Sequence, residues 1–527
     1  MGPLTLDRSP GTGRHSDLLD PPTTSPSSWW WPELLVTALA AAVFSYRVAD
    51  PSPWSDEAAT MTVCRRTVGQ ILDVTRTVDL VHLAFYLMAH ASVQVDDSIT
   101  SVRMISVVAM AAAAGVLTAL GRLLGSVAVG TTAGLLLVAS PQASRWAQDA
   151  RPYATVTLIA VSSTLLLVSA TRRPRRWRRW LGYGLSLVLL GVFNILALLL
   201  LSGHACYLAL AQPARRLRWW LPAAVTGLLV VSPFLAMALP QRGQVAWIAP
   251  PPLYGLTAVY ILAFGSKIVP VAVALGALAV VVISRGLPGG PAGQAFVLGG
   301  VWATVPPVVL WSVSQVMPMW DARYVLYAVP GQMLLVAAEA SVLAGAAVTA
   351  LRSRARGGGA TPSPAPSAAS TVAVVLASVL AVGGLVAVGL PAQRALRDPV
   401  SGHDENIRGV ADWIAAHASR DDAVLFLPLE LRDIRAVYPH DFAAVADVAL
   451  ARGPAESGSL SGIEVTPAAL GTAVLAHRRV WLITGYFGAL THPTDLVKQG
   501  LLTRSYRLVD REETVSYRVD LYERLAA

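Results

Sequence analysis

Long apolar runs, separated by short polar or basic breaks, fill the chain from residue 29 to about residue 390. They are Trp29–Val48, Val102–Leu120, Val127–Ser140, Pro152–Ala170, Leu181–Ala211, Leu217–Leu239, Val269–Ser284, Gln294–Val316, Tyr324–Leu351 and Thr371–Leu390. Runs of this kind predict transmembrane helices, because a bilayer core takes about 20 apolar residues of helix. Leu80–Val95 is apolar too, but short for a span and interrupted by His82 and His90. It is predicted to lie along the membrane surface as a juxtamembrane helix. Leu181–Ala211 has arginines on both flanks and should return to the side it left, as two short helices joined near Phe193-Asn194. Tyr254–Phe264 is expected to dip into the bilayer without crossing. The pattern predicts a polytopic α-helical membrane protein with about 11 spans plus juxtamembrane helices.

Composition agrees. The 527 residues are 54% hydrophobic and 14% charged, and a soluble chain would carry close to twice that charge. The net charge of +9 does not imply nucleic-acid binding. Its arginines cluster between apolar runs, at residues 172–179, 215–218 and 352–356, where the positive-inside rule places them in the cytoplasm. Counting crossings from these clusters puts the first loop (residues 49–101), Gln148–Tyr153, Pro240–Leu256 and Met317–Tyr324 on the extracytoplasmic side. The Pro-, Ser- and Thr-rich segment 1–28 reads as a disordered cytoplasmic tail and 352–370 as a cytoplasmic linker. Lys267 and Lys498 are the only lysines among many arginines and alanines. That bias suggests a high-GC bacterium, hence its plasma (inner) membrane. Cys64 and Cys206 give neither a disulfide framework nor metal-ligand spacing.

The pattern changes in residues 391–527. Charge density becomes ordinary, Asn406–Ala418 reads as an amphipathic helix, and Ala423–Leu427 and Val480–Thr484 read as buried strands. Tyr506–Val509 and Val515–Tyr522 read as a hairpin around Asp510–Thr514. The transmembrane part, 29–390, is therefore followed by a small α/β domain, soluble and extracytoplasmic by the same count.

The external face then collects Asp56, Glu57, His82, Arg103, Asp149, Arg151, Arg323 and Tyr324. Each has an ordinary structural explanation. Adjacent acids suit a helix N-terminus, Arg103 could snorkel, Asp149 and Arg151 could form a local ion pair, and Arg323-Tyr324 could anchor at the interface. Together they suit one chemistry: a carboxylate takes a proton from an attacking hydroxyl while arginines hold an anionic phosphate leaving group. Glu339, in the middle of its span, is the residue that most favours a transporter, but it has no charged partner in the other spans. No phosphate-binding loop, zinc-protease motif or paired C-x-x-C occurs.

The order "SDE", "DLVHLAFYLMAH", "SVRMISVVAMAAAAGVL", "LGRLLGS", "SPQASRWAQDARPYATVTL" resembles bacterial GT-C glycosyltransferases of the protein-mannosyltransferase-like and lipid-A-aminoarabinose-transferase-like branch. The likeness covers roughly residues 29–218 and continues weakly through "WIAPPPLYG" to Arg323-Tyr324. It implies a GT-C fold and a polyprenyl-phosphate-linked sugar as donor. Asp56 matches the family's catalytic base, Glu57 its companion, and Asp149, which replaces Glu in a Gln-Glu-Ala-Arg-x-Tyr-like loop, is expected to be catalytic with them. His82, Arg103, Arg151, Arg323 and Tyr324 fall to the donor phosphate. The family's His-Pro-Pro-Leu-Tyr-Tyr-like stretch appears as His82-Leu83-Ala84-Phe85-Tyr86, without the prolines. The expected activity is transfer of a sugar, mannose first and arabinofuranose second, to a cell-envelope acceptor hydroxyl, with inversion. The acceptor would be a glycolipid, polysaccharide or protein. No cofactor is required and no metal ligands are assigned, although a divalent cation near Asp56 is left open. The alternative is a flippase for lipid-linked saccharides, which would show charges along a path through the spans and often repeated halves.

Overall fold

The computed structural model describes residues 30–355, 368–485 and 492–526. The expected tail, Trp29 and the middle of the 352–370 linker lie outside them. The membrane part comprises α1 (Trp31–Ser45), α2 (Ser55–Cys64), α3 (Val68–Thr75), α4 (Leu83–Val93), α5 (Ile99–Leu124), α6 (Val127–Ala139), α7 (Pro141–Ala147) and α8 (Tyr153–Arg172). It continues with α9 (Trp177–Phe193), α10 (Leu200–Ala211), α11 (Leu217–Ala238), α12 (Leu253–Phe264), α13 (Val269–Ile283), α14 (Gly290–Val313), α15 (Val329–Ala355) and α16 (Ala368–Ala395).

Among the described residues, α5, α8, α11, α14, α15 and α16 lie in segments long and apolar enough to cross a bilayer. The pairs α6–α7, bent by 65°, and α12–α13, bent by 94°, make up to eight. This is a multi-pass membrane protein. Reaching eleven requires α1, α9 and the Ile195–Ala211 segment to cross as well, each shorter than a full span. Small residues let the helices approach closely. A Cβ on Gly121 of α5 would lie 2.7 Å from the Gly130 Cα of α6, and one on Gly299 of α14 would lie 2.6 Å from the Leu335 N of α15. The α6–α7 bend falls at Ser140-Pro141, where Ser140 Oγ donates to the Ala263 carbonyl at 2.6 Å.

The arginine-rich breaks gather at one end of the bundle. Arg122 at the end of α5 pairs with Glu33 at the start of α1 at 2.6 Å. The other end carries the first loop, which is not an open loop. It folds as α2, α3, a short 3₁₀ turn at Leu80–His82, and α4. The pattern predicted the apolar α4 region but not α2 or α3. Those two are short, and α3 is fixed by a local capping box between Thr67 and Gln70.

The C-terminal part holds α17 (Ile407–His417), α18 (Asp433–Val437), α19 (Pro454–Ser457), α20 (Pro467–Leu475) and α21 (Pro493–Ser505). Its strands are β1 (Ala423–Leu427), β2 (Ala446–Asp447), β3 (Leu450–Arg452), β4 (Ile463–Glu464), β5 (Arg479–Gly485), β6 (Tyr506–Thr514) and β7 (Tyr517–Arg524). The main sheet has order β2-β1-β5-β7-β6, with β1 parallel to β2 and β5, and β7 antiparallel to β5 and β6. The hairpin differs from expectation. Its strands run through the acidic stretch and turn only at Val515-Ser516, with Ser516 at φ +70°. Because β6 is an edge strand, its polar side chains stay solvated while Arg511 Nε reaches Asp520 at 2.7 Å across the ladder.

The two parts share an apolar core. Ala58, Met61 and Cys64 of α2 and Phe85 and Ala89 of α4 pack in one buried cluster with Ile407, Val410, Phe426, Ile434 and Trp481. The sheet domain is thus seated on the helices that carry the carboxylate pair.

Candidate active site

Asp56 lies in the first turn of α2. Its Oδ1 is 3.2 Å from Arg151 Nη2 and its Oδ2 is 3.0 Å from Arg323 Nη1. Arg151 comes from the break between α7 and α8. Arg323 opens the Ala322–Ala328 3₁₀ turn, whose Asp321 accepts the Arg323 backbone N–H at 2.9 Å and faces its Nε at 3.3 Å. The Arg323 guanidinium also sits 5.5 Å from the ring centres of both Trp54 and Tyr324, a cation–π arrangement that fixes its direction. The Asp56 side chain is 30% exposed, whereas those of Arg151 and Arg323 are largely covered. A half-open carboxylate therefore stands over two buried cations.

The electrostatics follow. Burial alone would raise the Asp56 carboxyl, but Arg151, then Arg323 and His82, outweigh it and hold the group below its ordinary value. Burial, aided by Arg151, pushes His82 down to about 4, so its imidazole is neutral at neutral pH. Its Nδ1 has no partner among the described residues, and its ring lies 5.9 Å from that of Tyr86. Tyr86 OH is 3.5 Å from Arg151 Nη1.

Glu57, Arg103 and Asp149 occupy a different place from the one expected. Successive residues of a helix point about 100° apart, so only one acid of the pair can face the cleft. Glu57 turns inward, 0% exposed, and takes Arg103 in a two-point ion pair of 2.8 and 2.6 Å. Arg103 spends its third nitrogen on the carbonyls of Val48 and Pro51, at 2.8 and 3.0 Å. It holds the first loop rather than an open phosphate site. Glu57 Oε1 also accepts the Ala150 N–H at 2.8 Å, tying α2 to the Arg151 loop. Asp149 is buried and accepts from Trp54 Nε1 at 2.7 Å and Arg145 Nη1 at 3.4 Å. Burial pushes its carboxyl up to about 6, against Arg145 and with help from Glu57.

Three groups that sequence motifs did not flag complete the inner layer. His403 Nδ1 lies 3.4 Å from Glu57 Oε2, Glu405 bonds Ser55 of α2, and Arg145 covers Asp149. Glu57, Asp149 and His403 could also hold a metal ion, since one ligand atom from each lies within 4.8 Å of the others. The donor set does not fit a cation well. Both Glu57 oxygens are bound to Arg103, and Arg145 stands on Asp149, so a metal would face two guanidinium groups.

Glu339, the charged residue inside a span, is 6% exposed. Its Oε1 has no hydrogen-bond partner among the described residues. It faces Gly276 of α13, where an added Cβ would come within 2.9 Å of its Oε2.

Comparisons with known proteins agree with this architecture. Residues 81–237 match the family described as dolichyl-phosphate-mannose-protein mannosyltransferase. That region includes His82, Arg103, Asp149 and Arg151. No curated protein sequence matches the chain. Among solved structures, the chain is similar to ArnT from Cupriavidus metallidurans in the apo state. The TM-score is 0.57 at 12% identity, covering 93% of this chain and 97% of that one. It is likewise similar to ArnT bound to undecaprenyl phosphate, with a TM-score of 0.54, the same identity and the same coverage. The chain has the ArnT-like GT-C fold, with a C-terminal sheet domain.

Proposed function

We propose that the protein is a membrane glycosyltransferase that moves a sugar from a polyprenyl-monophosphate donor to an acceptor hydroxyl. The observation that carries this reading is the half-exposed Asp56 standing between Arg151 and Arg323. The donor phosphate displaces the carboxylate from the two guanidinium groups and takes up their charge. Asp56, released from its ion pairs, becomes more basic and accepts the proton of the acceptor hydroxyl. The acceptor oxygen attacks the anomeric carbon, the bond from that carbon to the phosphate oxygen breaks, and the polyprenyl phosphate leaves with its charge on Arg151 and Arg323. A single displacement inverts the anomeric centre. Neutral His82 and the Tyr324 ring border the phosphate position. Glu57, Arg103 and Asp149 act from behind, fixing α2 and the Arg151 loop.

The same reading covers the finer expectations. ArnT has been crystallised with undecaprenyl phosphate, and a polyprenyl phosphate is the donor carrier proposed here. The family match favours mannose as first choice, with arabinofuranose second. The arginine-rich end faces the cytoplasm of a bacterial inner membrane by the positive-inside rule, so Asp56 and the sheet domain act outside. The transmembrane part is 29–390 and the soluble part 391–527, with α16 continuing to Ala395. The reaction as proposed requires no cofactor, and a divalent cation is left open.

The test is chemical. Reconstituted protein supplied with polyprenyl-phosphate mannose or arabinose and a cell-envelope acceptor should release polyprenyl phosphate in step with a new glycosidic bond of opposite anomeric configuration. Intact donor moving between leaflets with no new bond would overturn the reading in favour of a flippase.

A further inference from the structure

The helix that carries Asp56 begins badly by its own sequence. The residue preceding α2 is Trp54, in extended geometry (φ −118°, ψ 172°), and its side chain makes no cap. A helix N-terminus has four unpaired N–H groups, usually met by a Ser, Thr, Asp or Asn at that position. Here the acceptor arrives from 350 residues away. Glu405 Oε2 accepts the Ser55 N–H at 2.7 Å and Oε1 accepts the Ser55 hydroxyl at 3.0 Å. Tyr517 OH, from the β7 strand, donates to Glu405 Oε2. Asp404, just before Glu405, adopts φ +63°.

The contacts around this cap all link the same two parts of the chain. Ser52 N–H donates to the Pro399 carbonyl at 3.1 Å, and Ser52 Oγ accepts the Arg408 N–H at 3.0 Å. Arg408 donates to the carbonyls of Asp50 and Ala49 at 2.9 and 3.0 Å. At the far end of α2, Thr62 Oγ1 donates to Asp433 at 3.1 Å and Arg66 to the Ser459 carbonyl at 2.7 Å. Both ends of one short helix are therefore held by the C-terminal domain.

We infer that Glu405 is a positioning residue, supplying from the sheet domain the missing N-terminal cap of α2 and so fixing Asp56 against Arg151 and Arg323. The C-terminal domain is then a clamp on the base as well as an appended module. A carboxylate suits the task because it accepts two bonds from Ser55 at once and complements the positive end of the helix. The kinetic part of this inference rests on the glycosyltransferase reading; the structural part does not.

The experiment uses full-length protein in lipid, comparing wild type with Glu405→Ala, Glu405→Gln and Tyr517→Phe. Hydrogen exchange is followed in peptides covering 50–64 and, as a control, in β1 and β5. Glu405→Ala should speed exchange at the start of α2 by about five-fold or more, the worth of a lost cap, while β1 and β5 keep their protection. In transfer assays its kcat should fall about ten- to a hundred-fold, as for a displaced catalytic group, with KM for the donor unchanged. Glu405→Gln, which keeps one acceptor oxygen, should recover part of both effects, and Tyr517→Phe should show a weaker version. Unchanged exchange in α2 would overturn the inference whatever the kinetics. Faster exchange with full kcat would overturn the positioning role. A wild type inactive with every donor would count against the transferase reading alone, because exchange in α2 still decides the cap.

Discussion

Arg323 Nη1 lies 3.0 Å from Asp56 Oδ2 although 267 residues separate them in the chain. Helix α2 and the 3₁₀ turn that leads into α15 thus meet over a single carboxylate, with Arg151 on its other oxygen. The two cations that hold Asp56 in the free protein are the two available for a donor phosphate. On the proposed mechanism, substrate binding and the state of the base are therefore coupled.

The coupling sets a pH signature. As the proposed base Asp56 works ionised, so activity should appear as pH rises through its pKa and be lost below it. In the free protein the arginines keep that pKa below the ordinary value, so the acid limb of kcat/KM should lie below the usual aspartate range. In the donor complex the arginines serve the phosphate, so the acid limb of kcat should lie at higher pH. Coincident limbs would contradict the exchange of partners.

Arg323→Ala should separate donor from acceptor. Losing a charged contact of about 1.5–3 kcal/mol raises KM for the donor by about ten- to a hundred-fold. KM for the acceptor should stay close to wild type. Equal losses for both substrates would move Arg323 out of the phosphate site.

The Glu57–Arg103 pair is structural. Both side chains are 0% exposed, and removing one partner strands the other charge, at about 3–5 kcal/mol. Arg103→Met should therefore lower the unfolding midpoint sharply, and adding Glu57→Met should recover much of the loss. A single variant as stable as wild type would show the pair to be dispensable.

Chelation should not matter. Because Arg103 and Arg145 already stand on the carboxylates of the Glu57–Asp149–His403 group, transfer should persist after exhaustive treatment with EDTA. Activity lost to EDTA and restored by a divalent ion would refute this.

Much of the architecture is legible in the sequence because the apolar runs are long and their arginine breaks all mark one end. The fold of ArnT agrees with the likeness read from the "SDE" and "QDARPY" stretches. The inner layer is less legible. Asp56 and Glu57 are neighbours with the same charge, and only the phase of α2 decides that one faces the cleft and the other Arg103. Arg103 looks like a phosphate ligand in a motif, yet the unpaired carbonyls of Val48 and Pro51, invisible to any pattern, claim it. Glu405 carries no motif, since a cap given across 350 residues leaves no local spacing to read. The hairpin turn is not legible because its acidic residues resemble a loop until Arg511 pairs with Asp520 across the strands.

The most direct measurement is a radiolabel transfer assay on purified, lipid-reconstituted protein. Polyprenyl-phosphate mannose and polyprenyl-phosphate arabinose are offered separately, and wild type is compared with Asp56→Asn. Asp56→Asn should lower transfer by about 10²–10⁴-fold, the usual worth of a positioned base, while still binding the polyprenyl phosphate. An Asp56→Asn protein that transfers sugar at the wild-type rate would contradict the central claim.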